Sequence, residues 1–489
     1  MKNKNDFIFN VVTLIIYCCV ILSGLYHHEL WGDEIHSWNI VKGSHSLGEL
    51  FSNIRYEGHP PFWYIYLFCL TQFSHALMLL KAAQFIFVVL TACVFLFYGP
   101  FGKIQKVLLL SGYYFIFEYA VLARNYMPAV FFAFCIAAID RREFKYKTTC
   151  YYLLLLLLSN VHLLGLLLAA SIHAGYCYER RKGNKQPALH LLIGILVLLP
   201  SIYFILPPSD SQLNFQFWEA HWSPAKLYSF GGVILRALYP RIDLGNPHWW
   251  NSNIFLDLHT TFMWVSALSI FALLLFAIVY ALRKSKTALV IVIVNLGLTF
   301  LLSTVFPLNT YRYAGFVFIG FVIASWFSCY DKAQPVNNYV LVILLFLQFR
   351  SGFFATVKDF RNKFSSASEV VEMQKQIPAN AFVATDYWCL NNLSAYLDTS
   401  FYCIELKRSV SFLVWNNEMT SAIRYDYGKG LADLLAAHHQ VPFYFFSSRS
   451  KDKLLLAGAD ETFIIELVKE SGPAIERSGE VYLYKVLPI

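Results

Sequence analysis

FIFNVVTLIIYCCVILSGLY, running from Phe7 to Tyr26, is a stretch of twenty residues without a charged side chain, the length of helix that crosses the hydrocarbon core of a bilayer. It follows Lys2 and Lys4, and no Ala-x-Ala type cleavage site closes it, so it reads as an uncleaved first membrane helix. Similar apolar stretches recur as far as residue 354. Of the 489 residues, 57% are hydrophobic and 18% aromatic, while 14% are charged; 31 Asp and Glu with 39 Lys and Arg cannot coat a soluble particle that oily. The expected class is a polytopic α-helical membrane protein, which excludes disordered, collagenous, coiled-coil and small disulfide-scaffold chains. The formal charge of +8 is then a topology signal, because no soluble basic patch interleaved with aromatics is present to hold nucleic acid.

Orientation follows from where Lys and Arg cluster, since cytoplasmic loops carry the excess of positive charge. The clusters are Lys2 and Lys4; Lys103 and Lys106; Arg141, Arg142, Lys145 and Lys147; Arg180, Arg181, Lys182 and Lys185; Arg283, Lys284 and Lys286; and Lys332. The long polar loops 27–60 and 207–253 hold only Lys42, Arg55, Lys226, Arg236 and Arg241 and are expected outside. Parity then requires an odd number of crossings in 61–98, so a re-entrant or interfacial piece is expected near 61–79, where polar backbone can line a protein cavity. The runs 107–122, 124–139, 149–159, 161–178, 188–206, 254–281, 287–306, 311–329 and 336–354 alternate from there, giving about eleven crossings with twelve as the alternative count. No fixed-period repeat or inverted pair of halves is visible, which counts against the common secondary-transporter designs.

The apolar part, 1–355, gives way to an ordinary soluble mixture at 356–489. Strands are expected at 382–385, 401–406, 443–446, 463–467 and 481–484, with helical patterns at 368–376 and 431–438, so this tail reads as a small external α/β domain. Eight of the ten cysteines lie in or beside apolar runs; Cys389 and Cys403 lie in the tail, where a bond between them and two free thiols are equally open readings. No CxxC or Cys/His spacing suggests zinc.

Chemistry-bearing residues concentrate in the first external loop, which contains His27-His28-Glu29-Leu30-Trp31-Gly32-Asp33-Glu34-Ile35-His36-Ser37-Trp38 and then Arg55-Tyr56-Glu57-Gly58-His59-Pro60-Pro61-Phe62-Trp63-Tyr64. Pro60 and Pro61 stop a helix from starting earlier and place Glu57 and His59 at the mouth of the next apolar segment. Asp33 and Glu34, being adjacent, diverge by about 100° on a helix and cannot both address one bond. One suits a general base and the other an orienting acid, and a two-carboxylate hydrolase site would need Glu57 as partner. The plain uses of the same residues are a solvated loop with interfacial Trp and Tyr anchors, a Glu118–Arg124 ion pair in a turn, a snorkelling Arg312, and a satisfied His162 between helices. In the second loop, Trp218, Trp222, Tyr239, Trp249 and Trp250 suit either an interfacial belt or a lid over a sugar.

Trp31-Gly32-Asp33-Glu34 with Trp38, followed by Glu57-Gly58-His59-Pro60-Pro61-Phe62-Trp63-Tyr64, resembles the signature of GT-C membrane glycosyltransferases. The similarity is to the branch of protein O-mannosyltransferases and lipid A aminoarabinose transferases (glycosyltransferase family 39-like). Shorter elements follow in order: Leu80-Lys81-Ala82 where that family often has Ala-Leu-Arg-Leu, Glu118 to Tyr126 for its Tyr-Ser-x-x-Ala-Arg-x-Tyr element, Asn160-Val161-His162 for a Thr-His-Tyr turn, and Tyr311-Arg312-Tyr313 for a late Arg-Tyr. Lys81 and Asn160 depart from that pattern. Together these cover about residues 7–354.

The resemblance implies an inverting transfer of a sugar from a polyprenyl-phosphate carrier to an acceptor hydroxyl of a glycan, lipid or protein, on the external face of what is expected to be a bacterial inner membrane with a cytoplasmic N-terminus. Asp33 then corresponds to the base and Glu34 to an orienting acid; Glu57, His59, Lys81, Arg124 and Arg312 become candidates for the donor sugar and phosphate, with His162, Tyr311 and Tyr313 as accessory residues. Cations near the departing phosphate lower the main barrier, so no cofactor is required, and a divalent metal is compatible with the loop but not needed. A transporter or flippase for lipid-linked glycans, or a non-catalytic assembly protein, is the alternative. The charge-free runs 188–206, 254–281 and 336–354 favour chemistry at the surface over a pathway through the bilayer.

Overall fold

The computed structural model describes residues 4–182, 186–211, 224–257, 261–330, 338–422, 425–454, 463–476 and 480–489. Lys2, Lys185 and Lys332 of the basic clusters, and Trp218 and Trp222 of the second loop, lie outside the described residues. The first half is built from α1 (Lys4–His27), α2 (Gly32–Gly43), α3 (Leu47–Ile54), α4 (Phe62–Thr71), α5 (Leu77–Tyr98), α6 (Lys103–Leu110), α7 (Tyr126–Ile139), α8 (Lys147–Ser159) and α9 (Leu163–Lys182). There follow α10 (Pro187–Ile205), α11 (Pro224–Leu238), α12 (Ile254–Asp257), α13 (Thr261–Leu282), α14 (Lys286–Val305), α15 (Tyr311–Tyr330) and α16 (Asn338–Arg361). Among the described residues, seven helices are long and apolar enough to cross a membrane: α1, α5, α10, α13, α14, α15 and α16. Helices α4, α7 and α8 are apolar but shorter. In α15, 83% of the apolar window is buried inside the protein, against 17% in α10, so α15 is the hub of the bundle and α10 lies at its rim.

The ends of the helices can be matched. Lys103 pairs with Asp6 at 3.1 Å and Lys106 bonds Asn10 at 3.3 Å, whereas at the opposite end Lys81 Nζ donates to the His28 carbonyl at 2.7 Å. Helices α1 and α5 are therefore antiparallel, with the basic residues Lys103 and Lys106 at the N-terminal end of α1. Between them α4 starts where Phe62 N donates to the Asn160 carbonyl (3.0 Å), and the turn after it is tied back when Trp38 Nε1 donates to the His75 carbonyl (3.2 Å). Ten residues of helix reach only about 15 Å. So α4 is too short to be one of the seven candidate spans, whereas α5 is long and apolar enough to cross.

Three segments differ from the sequence expectation. The run 107–122 is not one helix: α6 stops at Leu110, a π-turn occupies Tyr114–Glu118, and an irregular stretch leads to Arg124. The cause is close packing on α16, because a Cβ on Gly352 would lie 2.7 Å from the Ser111 carbonyl oxygen and one on Gly112 would lie 3.1 Å from Gln348 Cβ. The expected loop 207–253 contains α11, which buries Val233, Ile234, Leu235, Ala237 and Leu238 against α13 and α15. Helix α16 continues past residue 354 to Arg361, which puts Asp359 in its last turn.

Beyond it, α17 (Val370–Gln374), α18 (Tyr387–Leu397), α19 (Asn417–Ala422), α20 (Tyr427–Ala437) and α21 (Lys451–Leu454) accompany six strands. These are β1 (Val383–Thr385), β2 (Phe401–Cys403), β3 (Arg408–Val410), β4 (Phe443–Ser447), β5 (Phe463–Glu470) and β6 (Tyr482–Pro488), in the order β3-β2-β1-β4-β6-β5. Strand β1 runs parallel to β2 and β4; the remaining pairs are antiparallel. Alternation along β4 sends Phe446 to the face covered by Leu390 and Leu393 of α18, and Phe443 and Phe445 to the face covered by Leu431 and Leu434 of α20. The short, exposed β3 lacks the alternating apolar pattern that marks the other strands, and sequence reading missed it. Cys389 and Cys403 are both buried free thiols.

Helix α18 packs directly on α2. Its cap is the buried Asp386, which accepts from Cys389 N (2.8 Å), Ser447 Oγ (2.8 Å), Ser448 N (2.7 Å) and Ser448 Oγ (3.0 Å), so one carboxylate joins the ends of β1 and β4 to the helix start. Replacing Asp386 by Ala removes a cap and strands buried donors. The opening free energy of the β1 and β4 amides, measured by hydrogen exchange, should fall by about 3 kcal/mol. Unchanged protection would contradict this role.

Candidate active site

The first turns of α2 and α15 meet at one point. Gly32 opens α2 and puts Asp33 in its first turn, where the helix dipole favours a carboxylate. Arg312, in the first turn of α15, places Nη1 at 2.5 Å from Asp33 Oδ2. Arg124, ahead of α7, donates from Nη1 to the Asp33 carbonyl and, at 3.3 Å, to Ser37 Oγ. Three aromatic rings surround the Arg312 guanidinium, Tyr313 at 5.1 Å, Trp31 at 5.2 Å and Trp250 at 5.9 Å. Asp33 keeps 40% of its side chain exposed while Arg312 keeps 16%, so the carboxylate is the accessible member of the pair. Desolvation pushes the Asp33 carboxyl up, but Arg312 and Arg124 outweigh it and hold it below the usual carboxylate range.

Glu34 turns the other way, as adjacency on a helix requires. Fully buried, it accepts from Trp31 N at 3.0 Å through Oε2 and from Ala123 N through Oε1, closing the start of α2 and tying it to the segment that carries Arg124. Behind it His28 lies 3.3 Å from both Glu34 Oε2 and Asp359 Oδ1. Burial alone would weaken the His28 base; the Asp359 and Glu34 carboxylates outweigh it and raise its pKa from 6.5 to about 9. Sequence reading passed over this pair, because the partners are separated by 331 positions and Asp359 falls just beyond the apolar run. A lone acid in the last turn of a membrane helix was the available signal.

The remaining predicted residues divide. The His59 and His162 rings lie against each other, tilted by 33° with centroids 4.8 Å apart, and His162 also lies against Tyr126 (5.1 Å). Burial, helped by Arg124, lowers the His59 pKa to about 4; burial and His59 push His162 well below its ordinary value, so both rings are neutral. Among the described residues, His59 Nδ1, His162 Nε2, Tyr126 OH, Arg124 Nε, Arg312 Nε and Trp31 Nε1 are buried polar atoms without a hydrogen-bond partner. Native interiors seldom leave such atoms unsatisfied, and these six, on Arg124, Arg312 and the rings beside them, leave hydrogen-bonding capacity for a polar ligand. Glu57 bonds His36 Nε2 at 3.0 Å and accepts from Tyr64 OH at 3.4 Å. Lys81 is not brought to Asp33: its ammonium holds the His28 carbonyl and faces Glu34, Glu29 and Asp359. Tyr311 is also turned inward, bonded to the Ser252 carbonyl (2.7 Å) and Asn253 (3.3 Å), whereas Tyr313 stays beside Arg312. Glu118 pairs with Tyr113 OH (2.8 Å) and Trp250 Nε1 (3.0 Å) instead of Arg124, which leaves Arg124 to the site. Among the described residues no group of three His, Cys, Asp or Glu side chains converges as a metal site.

No family model and no curated protein matches the chain. Solved structures do. ArnT from Cupriavidus metallidurans bound to undecaprenyl phosphate, and the same protein in its apo state, each align with a TM-score of 0.53 over 97% of this chain and 97% of theirs, at 12% identity. The likeness shows the fold alone: a bundle of apolar helices followed by a C-terminal sheet domain, as in ArnT.

The His28 ion triad gives a pH signature. A raised folded pKa contributes stability that is whole below about 6.5 and is lost as pH climbs through about 9. The thermal midpoint of the purified protein should therefore drop across that interval, and His28→Gln should lower it at pH 6 and remove the drop. A variant whose midpoint keeps the wild-type pH dependence would contradict the triad.

Proposed function

We propose that the protein is an inverting glycosyltransferase that takes a sugar from a polyprenyl-phosphate carrier and transfers it to an acceptor hydroxyl at the external surface of a bacterial inner membrane. The observation that carries the reading is the Arg312–Asp33 contact, flanked by Arg124 and ringed by unpartnered polar atoms. It puts one accessible carboxylate and two guanidiniums at the end of the bundle where the polar loops gather. The fold shared with ArnT, a protein solved with undecaprenyl phosphate, supports a lipid phosphate as the anion.

The chemistry follows from the residue types. An acceptor hydroxyl loses its proton to the Asp33 carboxylate as its oxygen attacks the anomeric carbon opposite the phosphate, and the bond from that carbon to the phosphate oxygen breaks with its electron pair leaving on the carrier. Arg124 and Arg312 neutralise the charge that grows on the departing phosphate, the main barrier in the step. In the resting site Arg312 spends itself on Asp33 and suppresses its basicity. A donor phosphate that draws Arg312 away releases the carboxylate at the moment it is needed as a base. Glu34 acts behind Asp33 by fixing the start of α2, and the neutral pair His59 and His162 offers uncharged hydrogen bonds to sugar hydroxyls. The C-terminal sheet domain, 356–489, stands on the same side and flanks the acceptor's approach. A divalent metal is not part of this scheme.

Reconstituted transfer from a labelled polyprenyl-phosphate sugar tests it. Asp33→Asn keeps size but removes the base, and should cut transfer by about a hundredfold to ten-thousandfold while carrier binding survives. Arg312→Ala should weaken carrier binding as well. Full transfer by Asp33→Asn would overturn the assignment. Carrier binding without transfer in the wild type would instead indicate a flippase or an assembly protein for lipid-linked glycans.

A further inference from the structure

The C-terminal domain reaches the site through α2. Asn39 Nδ2 donates to the Asn391 carbonyl (2.8 Å), Lys42 Nζ to the Ser394 carbonyl and Asp398 Oδ1 (2.8 Å each), and Gly43 leaves room for the Phe412 ring, which a Cβ there would meet at 2.5 Å. One turn after Asp33, His36 is buried in this junction. Its Nε2 lies 3.0 Å from Glu57 Oε1 and 3.1 Å from Trp415 Nε1, and its Nδ1 lies 3.4 Å from Asn391 Oδ1.

An imidazole nitrogen carries either a proton or a lone pair. The indole N–H only donates and an ionised carboxylate only accepts, so Trp415 needs the lone pair on Nε2 and Glu57 needs the proton. Both bonds cannot form together. We propose that Trp415 is a positioning residue for the Asp33 site: it competes with Glu57 for Nε2 of His36, so that docking of the C-terminal domain decides whether Glu57 is held or released. Held, Glu57 is spent on the His36 ring. Released, it keeps only the Tyr64 hydroxyl at 3.4 Å, and the oxygen that faced His36 becomes available to another donor; Tyr64 lies beside Ser37 and Arg124, both of which contact the Asp33 carbonyl. The titratable groups facing His36 are Glu57 and, from its own helix, Asp33, while the C-terminal domain presents the neutral Asn391 and Trp415. The consequence for turnover rests on the transferase reading; the competition itself does not.

The test is the titration of His36 in the full-length protein in lipid nanodiscs, followed by NMR of isotope-labelled histidine and assigned with His36→Gln. Trp415→Phe keeps the ring and deletes the donor that stabilises the neutral imidazole, so the midpoint should rise, by about three- to tenfold in proton affinity. Glu57→Gln deletes the carboxylate that stabilises the protonated ring, so the midpoint should fall by at least as much. Glu57→Gln leaves the interdomain contact in place and carries the test if Trp415→Phe does not fold. An unmoved midpoint in either folded variant overturns the proposal. In parallel, the pH profile of transfer should move with the His36 midpoint in Trp415→Phe, and a fixed profile with a moved midpoint would overturn the link to turnover. Absence of transfer by the wild type would sink the transferase reading and leave the titration to decide the competition.

Discussion

A carboxylate and a guanidinium 279 positions apart share one contact, Asp33 with Arg312, and the bundle is arranged around keeping them together. Withdrawing either charge from water is costly unless it is paired, and removing one partner leaves the other stranded. The pair is bracketed by its neighbours on all but the open side of Asp33. Arg124 grips the backbone of Asp33, Glu34 locks the start of α2, and Trp31, Trp250 and Tyr313 enclose the Arg312 cation. Because Arg312 lies in the first turn of α15, the most buried of the seven candidate spans, the position of the cation is set by packing along that helix.

Two departures from regular structure serve the same point. The π-turn at Tyr114–Glu118 ends the run of α6 early, and the irregular stretch after it delivers Ala123 N to Glu34 and Arg124 to Asp33. A regular helix through 107–124 would turn those groups to other faces. Gly315 makes room for the same turn, since a Cβ there would fall 2.3 Å from Tyr119 OH and 2.4 Å from Tyr114 Cε1. The C-terminal domain acts from the opposite side: α18 and Trp415 bear on α2, the helix that carries Asp33, so the sheet domain is a wall of the site rather than an appendage to it.

The apolar helices were legible because length and hydropathy decide them one segment at a time. Asp33, Arg124 and Arg312 could be singled out one at a time, because each sits in a short motif that resembles a known family and carries a charge at the end of an apolar run. What joins them was not. His28 with Asp359, Lys81 with the His28 carbonyl, and His36 with Trp415 are contacts between segments far apart in sequence, and no local pattern encodes them. The π-turn is a product of close backbone packing at Gly112 and Gly352, and α11 was hidden because its polar neighbours made the stretch look like a loop. Lys81 shows the limit of reading by charge: it lies at the right boundary but faces the buried carboxylates behind α2.

If Arg124 and Arg312 receive a lipid phosphate, as proposed, that phosphate must displace the contact between Arg312 and Asp33. An experimental structure of the protein in nanodiscs, with a polyprenyl phosphate added, tests it most directly. The phosphate is expected within hydrogen-bonding distance of Arg312 and Arg124, with Arg312 drawn off Asp33 and the carboxylate left facing the open side. A phosphate seated at the opposite end of the bundle, near Lys103 and Lys106, or an unbroken Arg312–Asp33 pair in the occupied state, would contradict it.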